Sequence, residues 1–179
     1  CQTMSEELEG FNNQSLNHFL SDSVWNYWDV MDEVTQSFCS MVGKHLNETA
    51  LVIDESSFPK KGKSSVGVAR QYCGQLGKVD NCQVGVFGSL CWNNLSSLVQ
   101  TRLYLPKDWT SDTKRLDQCG VPEEDRGYKS KIDLAWDIIS YLWKEKGIKF
   151  GWVNLDAFYG RDQSLLEKMD KSEVIYVAD

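Results

Sequence analysis

No stretch of the 179 residues approaches the roughly 20 consecutive apolar positions of a membrane-spanning helix, and no charged-then-apolar leader opens the chain. A membrane partner is therefore not expected. There is no CxxC pair, and the two histidines, His18 and His45, lie far from the glycine-rich turn bracketed by Cys73 and Cys82. That spacing argues against a structural zinc site. The six cysteines (1, 39, 73, 82, 91 and 119) are scattered, and a chain this long does not depend on disulfides. In Gly88-Ser-Leu-Cys-Trp92 the thiol sits in an apolar strand-like run, where it behaves as a small hydrophobe. Reduced cysteines and a cytoplasmic protein are the expectation. Internal repeats and low-complexity segments are also missing. What is present is core material: 41% hydrophobic residues, 12% aromatic and seven Trp exclude a disordered chain.

The net charge of −7 by itself disfavours a polyanionic partner. Its distribution does not. Between Ser56 and Val79 there are five basic residues, Lys60, Lys61, Lys63, Arg70 and Lys78, and no acid. The other 14 basic residues share the chain with all 26 acids. A polyanion would have one preferred place of approach, although a solvated loop has the same composition.

The chain to about Gly43 reads as helical. After cap residues at Ser21-Asp-Ser23, apolar residues recur at helical spacing from Val24 to Val42, and a shorter helix is expected around Ser15–Leu20. From Leu51 the pattern changes. Leu51–Asp54, Ser65–Tyr72, Asn81–Trp92 and Leu98–Leu105 read as strands, and a polar excursion follows through residues 107–130. An amphipathic helix from Ile132 to Trp143 is ended by Gly147. Strand Phe150–Asp156, helix Gln163–Met169 and strand Val174–Val177 complete the chain. Consecutive strands followed by βαβ crossovers predict an α/β fold, a mixed sheet flanked by helices. The expected division is a helical segment over 1–46 and an α/β core over 47–179.

Two of these strands end in an acid, Asp54 and Asp156. Sites in open α/β sheets gather at the carboxyl ends of strands. Two carboxylates on neighbouring strand ends repel each other unless a cation lies between them. Hard divalent ions such as Mg²⁺ take oxygen ligands and keep waters for a phosphate. Capping of the following loops explains either Asp equally well, so the pattern alone leaves both readings open.

The stretch LVIDESSFPKKGKSSVGVARQYCGQLGKVDNCQVGVF, from Leu51 to Phe87, resembles the catalytic domain of insertion-sequence DDE transposases, the DDE superfamily endonucleases. Further matches follow in order at Arg102–Pro106, Cys119–Glu124 and Asn154–Asp162, and Leu16–Trp25 resembles the helical region before that domain. The resemblance implies a ribonuclease H-like fold in which three acids hold two Mg²⁺ or Mn²⁺ ions. Asp54 matches the first acid and Asp156 the second. The third, usually a Glu on a helix beyond the last strand, has no match before Asp179. A fragment that binds metal weakly and cleaves DNA poorly is the expectation. Glu55 is expected to turn away from Asp54, since successive strand residues face opposite sides, and Asp162 is expected to cap a helix.

The implied activity is metal-dependent cleavage of DNA at transposon ends and strand transfer into target DNA, by a homodimer on DNA, with the enzyme acting at the nucleoid. The cationic residues Lys60, Lys61, Lys63, Arg70 and Lys78 are the expected DNA contacts, with the lysines neutralising phosphates beside the scissile bond. Two rivals share the pattern: a nuclease of the same fold without strand transfer, and a non-catalytic DNA-binding protein derived from a transposase.

Overall fold

The computed structural model describes residues 6, 10 and 12–179 and divides the chain into two units, Cys1–Val30 and Met31–Asp179. The expectation for Cys1 lies outside the described residues. In the first unit α1 (Asn13–Ser21) is capped by Asn12, whose side chain accepts from Ser15 N at 2.8 Å, and the Phe19 and Trp25 rings stack. Helix α2 (Tyr27–Val42) starts three residues after the expected Val24, because Asn26 Oδ1 takes the Trp28 N–H at 3.0 Å. Its buried stripe is Thr35, Phe38 and Val42.

The second unit is built on β1 (Ala50–Pro59), β2 (Ala69–Cys73), β3 (Lys78–Trp92), β4 (Leu95–Leu103), β5 (Trp152–Leu155) and β6 (Tyr176–Ala178). Between β4 and β5 lie two short helices, α3 (Lys107–Thr110) and α4 (Thr113–Gln118), and the longer α5 (Lys131–Ser140). Helices α6 (Ala157–Gly160) and α7 (Gln163–Asp170) precede β6. Strand β1 pairs antiparallel with β3 and parallel with β5, and β6 extends the sheet in parallel beyond β5. The far edge of β3 carries β2 on its first residues and β4 on its later ones, both antiparallel. This mixed six-stranded sheet, with β1 central and helices packed on it, is ribonuclease H-like.

Alternation along the strands decides what faces what. Leu51 and Ile53 of β1, Val86 and Leu90 of β3 and Val153 and Leu155 of β5 turn onto α5, where they pack with Leu134, Ile138, Ile139 and Leu142. Gly88 permits the close approach, since a Cβ there would lie 2.7 Å from Ile138 Cγ2. The alternate β1 residues Val52, Asp54, Ser56 and Phe58 turn to the other face and stay half-buried or exposed. One face of the sheet is thus core, and the other carries polar chemistry.

Helix α5 starts with a capping box, in which Ser130 and Asp133 satisfy each other's backbone N–H at 3.1 Å in both directions. The Ser130 hydroxyl, ahead of the amide and Lys168, holds the Asp133 carboxyl below its ordinary pKa of 3.8. A lowered folded-state pKa gives stability that is complete above the unfolded value and lost as pH falls through the folded one. Ser130→Ala should therefore cost about 1 kcal/mol at neutral pH, about 2–4 °C in Tm, and this deficit should shrink below about pH 4. Thermal melts across pH check both. At its far end α5 passes through a wider turn, Tyr141–Glu145, and Gly147 (φ +67°) ends it. There Asp32 of α2 accepts from the Tyr141 hydroxyl at 2.8 Å and pairs with Lys146 at 2.6 Å.

One element departs from the sequence expectation in a way that matters. Strand β1 does not stop at Asp54. It continues to Pro59, because Asp54–Pro59 find antiparallel partners in Phe87–Cys82 of the unusually long β3. Only its parallel pairing to β5 ends near Asp54.

Candidate functional site

The last parallel rung joins Ile53 of β1 to Leu155 of β5, so Asp54 and Asp156 stand one residue beyond it on neighbouring strands. Each acid anchors itself with a single oxygen. Asp54 Oδ1 accepts from Glu55 N at 2.7 Å. Asp156 Oδ1 caps α6, accepting from Phe158 N at 3.0 Å and Tyr159 N at 3.2 Å. The second oxygen of each makes no hydrogen bond among the described residues. Partial burial, reinforced by the negative charges of Glu55 and Asp156, pushes the Asp54 carboxyl above its usual pKa, against the pull of the Glu55 amide and Lys131. The two carboxylates are therefore close enough to repel.

Glu55 faces the core side, as alternation requires, where its Oε1 pairs with Lys131 Nζ at the start of α5 at 2.8 Å. Tyr159 is fully buried beside it. Burial, followed by the Glu55 carboxylate, drives the phenol's pKa far above its ordinary value. Glu55 Oε2 and Tyr159 Oη are both buried, and neither has a hydrogen-bond partner among the described residues. Asp162 caps α7, accepting from Leu165 N at 2.9 Å, and hydrogen bonds from Ser164 and Leu165 lower its pKa.

The oxygen-only donor set at Asp54 and Asp156 fits a hard divalent cation that retains waters. Among the described residues no three His, Cys, Asp or Glu side chains converge on one point. The five described cysteines are free, and burial with neighbouring Cys73 pushes the Cys82 thiol up to about 11.

The cationic residues separate into two groups. Lys60, Lys61 and Lys63 lie in the exposed loop between β1 and β2, and no acid pairs with them among the described residues. Lys78 is paired with Asp80 at 2.9 Å, and Arg70, on β2 opposite Asn81, adds to the positive field on that same acid. Because β1 runs on to Pro59, Lys60 lies six residues beyond Asp54, about 20 Å at strand rise. That span covers about six base pairs of duplex. The lysines are therefore displaced along the chain from Asp54 and not directly beside it.

Sequence reasoning did not find Lys131. Lys131 meets Glu55 across 76 residues of sequence, and nothing local marks such a pairing. Tyr159 reads from the sequence as a partly buried ring, with stacking on a base as the alternative, and the structure buries it fully at the third position of the helix that Asp156 caps.

Comparison with known proteins identifies the family. The family described as DDE superfamily endonuclease matches residues 1–179. A protein named as the probable transposase for insertion sequence element IS701, from Microchaete diplosiphon, is 31% identical over 170 residues. That match covers 93% of this chain and 40% of the relative's length. No solved structure matches the chain. With the family pattern spanning the whole chain and a ribonuclease H-like mixed sheet, the chain belongs to the DDE superfamily endonucleases.

Proposed function

We propose that this chain is the part of a transposase that binds DNA and presents two of the acids for metal-dependent cleavage and strand transfer at transposon ends. One observation carries the reading: Asp54 and Asp156 stand level just beyond the last parallel rung between β1 and β5, each with one oxygen anchored to backbone and the other without a hydrogen bond among the described residues. Mg²⁺ or Mn²⁺ held there would neutralise the charge developing on a phosphate and activate the attacking oxygen.

The chain's own residues supply position. Strand β1, paired on both sides, fixes Asp54. The α6 cap fixes Asp156 and leaves its free oxygen outside the turn. Lys131 holds Glu55 on the core face, so that this third carboxylate stays out of the site. The unpaired lysines of the loop bind the DNA backbone along the strand. A homodimer acting on DNA at the nucleoid fits this reading.

Titrating Mn²⁺ into the chain and following free Mn²⁺ by electron paramagnetic resonance tests the site directly. Saturable binding competed by Mg²⁺ is expected. Absence of binding at millimolar Mn²⁺ would sink the metal reading. For the activity, a full-length transposase carrying these residues should nick and join labelled transposon ends only when Mg²⁺ or Mn²⁺ is supplied.

A further inference from the structure

The loop from Lys60 to Val68 is held in an unusual way for an exposed, cationic segment. Five of its nine carbonyls accept close side-chain hydrogen bonds. Asn81 Nδ2 donates to Lys60 O at 2.6 Å and Gly62 O at 2.8 Å, and Gln83 Nε2 donates to Val66 O at 2.6 Å. The Trp109 indole N–H donates to Val68 O at 2.8 Å, and Arg115 donates to Lys63 O. Longer contacts from Cys119 Sγ to Ser64 O (3.6 Å) and Gln71 Nε2 to Gly67 O (3.4 Å) add to these.

The close donors come from β3 and from the polar excursion after β4. That excursion has a small core of its own, in which Leu105, Trp109, Leu116 and Val121 pack with Val66 of the loop. Arg115 lies over the Trp109 ring at 3.5 Å, so its guanidinium is already oriented when it meets the loop.

The consequence lies on the outer side. With the carbonyls drawn inward, the N–H groups of the exposed residues 61–65 make no hydrogen bond among the described residues, and the three lysines beside them are exposed. Successive free N–H groups bordered by ammonium groups make an anion-binding concavity. Holding such a loop in place beforehand removes the ordering cost from binding.

We infer that Lys60–Val68 is a preorganised cradle for a DNA backbone phosphate, and that Asn81 and Gln83 are positioning residues that shape it. This role rests on the DNA-binding reading above and assigns a purpose to the 107–126 excursion, which is to brace the cradle. Asn81 carries no charge, so its contribution can be separated from that of the lysines.

The test compares the wild-type 179-residue chain with Asn81→Ala and Lys60→Ala, by fluorescence anisotropy on a labelled duplex at several salt concentrations. Hydrogen exchange of the 61–65 amides and thermal melts accompany each protein. Asn81→Ala is expected to weaken binding about tenfold, which corresponds to about 1.4 kcal/mol. Its loop amides should exchange faster, and its salt slope should stay close to that of wild type. Lys60→Ala should instead lower the slope by about 0.9. Should Asn81→Ala not fold, Gln83→Ala tests the same role with the same expectations. Wild-type affinity in a folded variant whose loop amides exchange faster overturns the positioning role while leaving DNA binding intact. Absence of DNA binding by the wild-type chain overturns the DNA reading, and this inference with it.

Discussion

Replacing Asp54 by Asn should lower Mn²⁺ affinity by at least about 100-fold and leave the metal-free protein no less stable than wild type. The first effect follows from ligand chemistry. An amide oxygen carries no charge, and even the removal of an outer-shell partner weakens a metal site by roughly 10–100-fold. The second follows from the electrostatics of the empty pair. Burial and the charges of Glu55 and Asp156 raise the Asp54 pKa, which means the fold favours the neutral group. Asn satisfies that preference and keeps the size and an oxygen for the Glu55 amide.

Asp156 behaves differently because it also caps α6. Asp156→Asn should abolish metal binding while retaining the cap, since Asn caps as well as Asp. Asp156→Ala should add a stability deficit of about 1 kcal/mol, about 2–4 °C in Tm. Mn²⁺ titrations and melts on the three variants check this pattern. Equal Mn²⁺ affinity in wild type and Asp54→Asn would remove Asp54 from the site.

The second large effect belongs to the loop. Changing Lys60, Lys61 and Lys63 together to Ala should reduce the dependence of log affinity on log salt by about 2.7, or about 0.9 for each phosphate that is no longer neutralised. Duplex affinity should fall correspondingly, most at low salt and with no regard to sequence, because backbone contacts carry no base information. The fold should be little affected. The three side chains are exposed and unpaired, and the loop is held through its carbonyls, which the substitutions leave in place. A slope unchanged within error would mean that DNA binds elsewhere. Lys78 should contribute less than any of the three, since Asp80 already neutralises it.

The position of the lysines relative to the acids shows how sequence and structure divided the information. The join of LVID to ESSFPKKGK suggests a strand ending at Asp54, because polar residues follow the apolar run. Pairing with β3 overrode that local signal. Residues 55–59 have poor apolar patterning, yet a long antiparallel partner satisfies their backbone groups and keeps them extended. Strand length here is a tertiary property, and it sets the distance from Asp54 to the lysines of the following loop.

Other features were legible because their causes are local or periodic. The order of strands and helices follows from hydrophobic period and from glycine and proline punctuation. Glu55 turning away from Asp54 follows from the two-residue repeat of a strand, and the cap at Asp162 from its place before a helix.

What the residue pattern alone determined, then, is the αβ order of a mixed sheet and the placing of Asp54 and Asp156 just beyond two apolar strand runs, and the resemblance to a known family added the ribonuclease H-like class. The pattern depends on residue types at short spacing. Only the tertiary structure decided that Lys131 holds Glu55, that Tyr159 lies buried beside it, and that Asn81, Gln83, Trp109 and Arg115 turn the loop carbonyls inward. Those contacts join residues as distant in sequence as Glu55 and Lys131, 76 positions apart, or Glu55 and Tyr159, farther still, and contact between distant residues leaves no periodic trace in the chain.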